Sequence, residues 1–132
     1  MRVCLVEDAE VICARLVALL EAVEGVEIAG QTGSVPQAIA MILHERPEAV
    51  VLDMKLADGN GLDVLRAVRE QAPEIAVIVL TNYADDYVRG MCMRAGAYRF
   101  FDKTSEFGLI AGALLDLSRK PTDLQCPTGG CP

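Results

Sequence analysis

Asp53 closes the apolar run Ala49-Val50-Val51-Leu52, and Glu7 and Asp8 close an earlier one, Val3-Cys4-Leu5-Val6. Short continuous apolar runs are the pattern of buried parallel strands. Laid side by side, two such strands would bring three carboxylates to one carboxyl edge, where open α/β sheets take their ligands. Close carboxylates repel one another unless a proton or cation intervenes. The cluster therefore predicts a hard divalent ion, magnesium above all. Any one of these acids alone is better explained as a cap on the helix that follows it. Thr81 and Lys103, at the ends of two further strand-like runs, add a hydroxyl and a cation to the same edge. Together they favour a shared site over three unrelated caps.

The elements that must carry these residues alternate along the chain. The run 2–6 precedes a helical pattern over 10–22, with Ile12, Leu16, Leu19, Leu20 and Val23 at helical spacing, and Gly25 breaks it. Val26–Ala29 predicts a second strand. Ser34 is placed to cap the next helix, with Pro36 in its first turn and Pro47 beyond its end. After the strand 49–53, the loop Leu56-Ala57-Asp58-Gly59-Asn60-Gly61 is turn chemistry leading to a helix over 61–71, with Leu62, Leu65 and Val68 on one side. Ile75–Leu80 is the most apolar segment and predicts a central strand. A helix over 84–94, a strand over Tyr98–Phe101 and a helix over 105–118 follow, the last turning Phe107, Ile110, Ala111, Leu114 and Leu117 to the sheet. Five strand–helix units imply an α/β fold, a doubly wound five-stranded parallel sheet with five helices and strand order 2-1-3-4-5. The Pro/Gly/Cys-rich stretch 119–132 has no periodicity and is expected to be a short disordered tail beside a domain over 1–118.

At 132 residues the chain can bury one sizeable core. A net charge of -7 argues against a nucleic-acid surface, which needs a basic face. The 52% hydrophobic fraction suits a compact cytoplasmic fold, with no stretch approaching a membrane span and no room for a signal peptide before the first strand. Five cysteines, an odd number, fit a reducing compartment. Cys4 lies in a strand, and Cys13 and Cys92 lie in helices. Cys126 and Cys131 are close to each other but lack the second pair or the histidine that a zinc site requires. The lone His44 reads as a surface residue near a helix end.

Glu7-Asp8, Asp53 with its loop to Gly61, Thr81 and Lys103, each ending its own strand in this order, resemble the receiver domains of bacterial two-component response regulators, of the chemotaxis-receiver kind. The resemblance covers Met1 to about Ser118 and implies a flavodoxin-like fold. It implies that Asp53 accepts a phosphoryl group from a sensor histidine kinase or a small acyl phosphate. Magnesium is then held by Asp8, Asp53, the backbone carbonyl of Lys55 and, through water, Glu7. Lys103 balances the acids and afterwards contacts the phosphoryl group. Thr81 is the switch hydroxyl and Phe100 the aromatic that answers it, its two positions set by packing because it lacks the hydroxyl of the usual tyrosine. Such a chain is not an enzyme beyond its own phosphorylation and autodephosphorylation.

Several positions depart from the family pattern. Ala57 replaces a usual proline, and Thr104 follows Lys103 where a cis proline is common. Asn82 stands where alanine or glycine is frequent. Tyr83 and Lys55 flank the path of attacking water, and their bulk and charge predict a long-lived phosphoprotein. Output is expected through the face of the fourth helix, fifth strand and fifth helix, where Met91, Met93, Leu109 and Leu115 add apolar surface and Gly108 and Gly112 allow close approach. The occupant would be an effector or a second copy of the chain, with neither nucleic acid nor membrane bound by this domain. Alternatives are a relay intermediate passing the group to a histidine phosphotransfer protein, or the receiver part of a longer DNA-binding regulator. An aspartyl phosphohydrolase would need an acid where Lys55 stands. A flavodoxin-like cofactor binder would need a phosphate loop where Glu7-Asp8-Ala9-Glu10 would repel phosphate.

Overall fold

The computed structural model describes residues 1–82 and 85–119. Its main sheet is formed by β1 (Arg2–Val6), β2 (Glu27–Thr32), β3 (Ala49–Asp53), β4 (Ala76–Thr81) and β5 (Arg99–Asp102). The helices are α1 (Glu10–Glu21), α2 (Val35–Glu45), α3 (Gly61–Gln71), α4 (Asp86–Arg94) and α5 (Leu109–Arg119). All neighbouring strands of this sheet are parallel and the order is β2-β1-β3-β4-β5, as the sequence predicts. No helix among the described residues is long and apolar enough to cross a membrane.

Strand alternation divides the apolar residues into two cores. Cys4, Val6, Val50, Leu52, Val77, Val79 and Phe100 pack with buried residues of α2, α3 and α4. Val3, Leu5, Ala49, Val51, Ile78, Leu80 and Phe101 pack with those of α1 and α5. Each central strand is thus buried on both faces, which is why it reads as a continuous apolar run. The register sets the functional edge: Val6 pairs with Leu52, Asp53 with Leu80, and Thr81 with Asp102. The strand ends fall level, and Glu7, Asp53, Thr81 and Lys103 lie along one rim.

Three boundaries differ from the sequence expectation. β2 begins at Glu27 and runs on to Thr32, because the ladder with β1 continues through Gly30 and the polar Gln31. It is an edge strand, so its polar residues do not interrupt it. α4 begins at Asp86, where Asp85 accepts a bond from the Val88 amide at 2.8 Å. α5 begins only at Leu109, since residues 103–108 form turns of their own. Ala113 rather than Ala111 therefore joins the core, and Phe107 packs on it from ahead of the helix. A two-residue antiparallel ladder, Lys55–Leu56 with Gly59–Asn60, was not expected; Ala57 and Asp58 form its turn. The tail and Cys126 and Cys131 lie outside the described residues, as does Tyr83.

Leu65 on α3 is fully buried in the larger core. Leu65→Ala should cost about 2–5 kcal/mol through lost burial and the cavity left behind. The check is a lowered urea midpoint at unchanged slope.

Candidate functional site

Lys103 follows β5 and reaches the rim between two carboxylates. Its Nζ is 2.8 Å from Glu7 Oε1 and 3.1 Å from Asp53 Oδ2. The side chains of all three are almost entirely buried, at 7% exposure for Lys103, 1% for Glu7 and 7% for Asp53. Buried charges persist only when paired, and one ammonium here serves two acids. Glu7 Oε2 also accepts from the Ala9 amide at 3.0 Å, and Asp53 Oδ1 from the Lys55 amide at 3.3 Å. Burial holds the Glu7 carboxyl above its usual range, although Lys103 and the Ala9 amide pull it down. Burial would lower the Lys103 ammonium, but the bond to Glu7 and the charge of Asp53 outweigh it and hold it above its usual value.

Asp8 is exposed beside this pair. Glu7, Asp8 and Asp53 each offer a carboxylate oxygen, all within 4.8 Å of one another. Three hard oxygen donors at that spacing suit an octahedral divalent ion such as magnesium, and the set fits it better than a softer metal. Both Asp8 and Asp53 line an open crevice of about 340 Å³, together with Glu7, Lys55, Ala57, Asn82 and Lys103. Thr81 is fully buried at the end of β4, its carbonyl accepting from the Lys103 amide at 2.9 Å. Asn82, not Thr81, faces the crevice. A second crevice of about 240 Å³ between Met54, Leu62, Val88 and Met91 is mostly apolar, with Lys55 its one charged wall among the described residues.

The loop after Asp53 is fixed without the usual proline at Ala57. Asp58 reaches across to the start of α2, where Oδ1 accepts from the Val35 amide at 2.9 Å and Oδ2 from Ser34 Oγ at 2.8 Å. Ser34 holds the cap position as expected, but its hydroxyl is turned to Asp58 and Asp58 takes the amide instead. Asn60 caps α3 by accepting from the Leu62 amide at 2.8 Å. Two close backbone approaches complete the site. A Cβ on Gly61 would collide with the Asp53 carbonyl oxygen, and one on Gly33 would lie 2.7 Å from the Asp8 Cα. Only glycine permits either contact.

The other departure, Thr104 after Lys103, is accommodated by a carboxylate-centred turn. No cis peptide bond occurs among the described residues. Asp102 Oδ1 accepts from the Thr104 amide and from Thr104 Oγ1, at 2.8 and 2.6 Å. The Glu106 amide donates to the Asp102 carbonyl at 2.9 Å. Phe100 is buried in the core under α4 with the Arg89 guanidinium over its ring. On the α4–β5–α5 side Met93, Leu109 and Leu115 are exposed, whereas Met91 packs on the core. Gly108 and Gly112 have open space where a Cβ would be among the described residues, so neither serves a close approach within the described chain. Sequence reasoning missed Asp58, Gly33, Gly61 and Arg89. The Asp58-Gly59 pair was a turn signal, but its partner on α2 is far along the chain.

The sequence model of the response regulator receiver domain matches residues 3–114. The chain is 34% identical over 117 residues to the DNA-binding transcriptional activator DevR/DosR of Mycobacterium tuberculosis, covering 89% of this chain and 54% of that protein. It is 34% identical over 112 residues to the photosynthetic apparatus regulatory protein RegA of Cereibacter sphaeroides, covering 84% of this chain and 59% of RegA. It thus spans little more than half the length of these relatives. Among solved structures, the response regulator domain of Thermotoga maritima CheB superposes with a TM-score of 0.79 at 19% identity, covering 92% of this chain and 98% of that one. The signal receiver domain of a DNA binding response regulator from Colwellia psychrerythraea gives 0.83 at 20%, covering 91% and 99%. At these identities the structures show the shared fold.

Two outcomes follow from the loop geometry. Gly61→Ala should push the Asp53 backbone aside, lowering stability by about 1–3 kcal/mol in urea unfolding. Asp58 is held below its ordinary carboxylate range by the Val35 amide and then by Ser34. A depressed value means that its stabilisation is present above the unfolded value of 3.8 and is lost as pH falls through the lower folded value. Wild type should therefore be more stable than Asp58→Ala at neutral pH, and the two melting curves should converge in acid below that value.

Proposed function

We propose that this chain, which belongs to the response regulator receiver domain family, is a phosphorylation-dependent switch with Asp53 as the phosphoryl acceptor. The supporting observation is the buried Asp53 carboxylate, fixed by Lys103 and the Lys55 amide and opening on the acidic crevice. An Asp53 oxygen attacks the phosphorus of a phosphohistidine on a sensor kinase, or of a small acyl phosphate. The new O–P bond forms as the P–N or P–O bond breaks, and the leaving imidazole or carboxylate keeps the electron pair. A carboxylate is a weak nucleophile, so positioning and charge stabilisation supply the rate.

Lys103 is the fixed cation for that charge, released from Asp53 towards the incoming phosphoryl oxygens while Glu7 keeps it at the rim. Asp8, Asp53, the Lys55 carbonyl and, through water, Glu7 would hold magnesium, which when bound offsets the charge of the phosphoryl oxygens. Thr81 supplies the hydroxyl that reads the new group, and Phe100 answers from the next strand. The chemistry is the chain's own phosphorylation and its reversal, carried out in the cytoplasm, and output is by protein contact through the α4–β5–α5 face. The exposed Met93, Leu109 and Leu115 support that face. A second reading is favoured by coverage: the chain spans 54% of DevR/DosR, whose name describes a DNA-binding activator. In that reading the switch acts on a DNA-binding part of a longer protein. The same residues also suit a relay to a histidine phosphotransfer protein.

Intact mass after incubation with a small acyl phosphate, with and without magnesium, tests the reading. A single magnesium-dependent phosphoryl adduct in wild type, absent in Asp53→Ala, is expected. Wild type that takes no group under either condition, or Asp53→Ala that still takes one, would overturn it.

A further inference from the structure

Arg89 projects from α4 and touches three things at once. Its guanidinium carbon lies 4.7 Å from the centre of the Phe100 ring, and Nη1 donates to the Phe100 carbonyl at 3.3 Å. Nη2 is 3.9 Å from Glu106 Oε1. That same Glu106 oxygen accepts from the Asp102 amide at 2.8 Å, closing the turn in which Lys103 sits. One side chain therefore spans the helix, the strand and the turn that delivers the site's cation.

The helix it belongs to is thinly anchored. Cys92 is the one fully buried residue of α4, whereas α3 buries Gly61, Leu62, Val64, Leu65 and Val68. Val88 and Met91 add partly buried packing on the core. Segments with few fully buried apolar contacts open at low free energy, so a polar tie adds measurably to what holds α4 to β5. Phe100 has no hydroxyl through which to be held. The face of its ring is its one polar feature, and a guanidinium is the group that face attracts.

We propose that Arg89 is the latch coupling the Lys103 turn to α4: it holds the helix on β5 through Phe100 and Glu106, and a change at the rim reaches the helix through it. The coupling half of this rests on Asp53 being the phosphoryl acceptor; the latching half does not. Arg89 is a positioning residue and touches no reacting atom. A shift of the turn that moves Glu106 or Phe100 pulls on the Arg89 guanidinium that both engage, and through it on α4.

Amide hydrogen exchange of the whole chain, read by mass spectrometry over α4, tests both halves. In Arg89→Ala, exchange over α4 should rise by about tenfold or more while the α3 core is unchanged. Arg89→Lys, which keeps the charge over the ring but loses the fork, should fall between. Adding Glu106→Gln to Arg89→Ala should add little, since the pair acts as one tie. Exchange within about twofold of wild type in Arg89→Ala would overturn the latch. After treatment with acyl phosphate and magnesium, wild type should change its α4 exchange, whereas Arg89→Ala should take the group equally fast yet show no such change. An equal response in both proteins would overturn the coupling while leaving Asp53 as acceptor. Failure of wild type to take the group would remove the acceptor reading and the coupling with it, and the untreated comparison would still decide the latch.

Discussion

One ammonium between two buried carboxylates is the constraint on which the rest of the structure depends. Glu7, Asp53 and Lys103 come from the ends of three different strands, and each is too deeply buried to be solvated by water alone. Removing one partner of a buried pair typically costs about 3–5 kcal/mol because the other charge is left uncompensated. Here the single cation answers two acids, so the strand ends must be level to within the reach of a lysine. The register across β1, β3, β4 and β5 meets that demand. Burial disfavours the charged form of Glu7, against the pull of Lys103 and the Ala9 amide.

The surrounding loops are held by side chains doing what proline does elsewhere in the family. Asp58 ties the loop after the acceptor to α2, and Asp102 gathers the amides of the turn around Lys103. Both carboxylates are held below their ordinary range, by the Val35 amide and Ser34 for one and by the Thr104 hydroxyl and amide for the other. Proline restricts a loop by limiting its own backbone. These acids restrict it by accepting hydrogen bonds, and the restriction therefore depends on charge.

The strands were legible because central strands buried on both faces leave uninterrupted apolar runs, such as Val50–Leu52 and Val77–Leu80, and their order followed from the succession of strand–helix units. The acids, Thr81 and Lys103 were legible for a related reason: a polar residue directly after such a run must lie at the sheet's rim. What escaped the sequence depends on distant chain segments meeting. The polar half of β2 belongs to a strand through its partner β1, not through its own composition. Gly33 and Gly61 look like ordinary turn residues until Asp8 and the Asp53 carbonyl come against them. α5 starts at Leu109 rather than 105 because the segment after β5 closes into turns of its own, with the Glu106 amide on the Asp102 carbonyl and the Leu109 amide on the Glu106 carbonyl. Arg89 sits among exposed charges on α4, and nothing in its neighbours along the chain marks it.

The position of β5 at the edge of the sheet has a consequence for the order in which the protein is made. Among the described residues β5 pairs only with β4, and Lys103 lies immediately beyond it. A chain emerging from its amino end therefore exposes Glu7 and Asp53 first, and both strands that carry them can pair before the cation exists. Until the last strand–helix unit appears, Glu7 and Asp53 lack the ammonium that pairs them in the finished domain. Completion of the sheet and pairing of the buried acids become a single event, assigned to the final quarter of the domain.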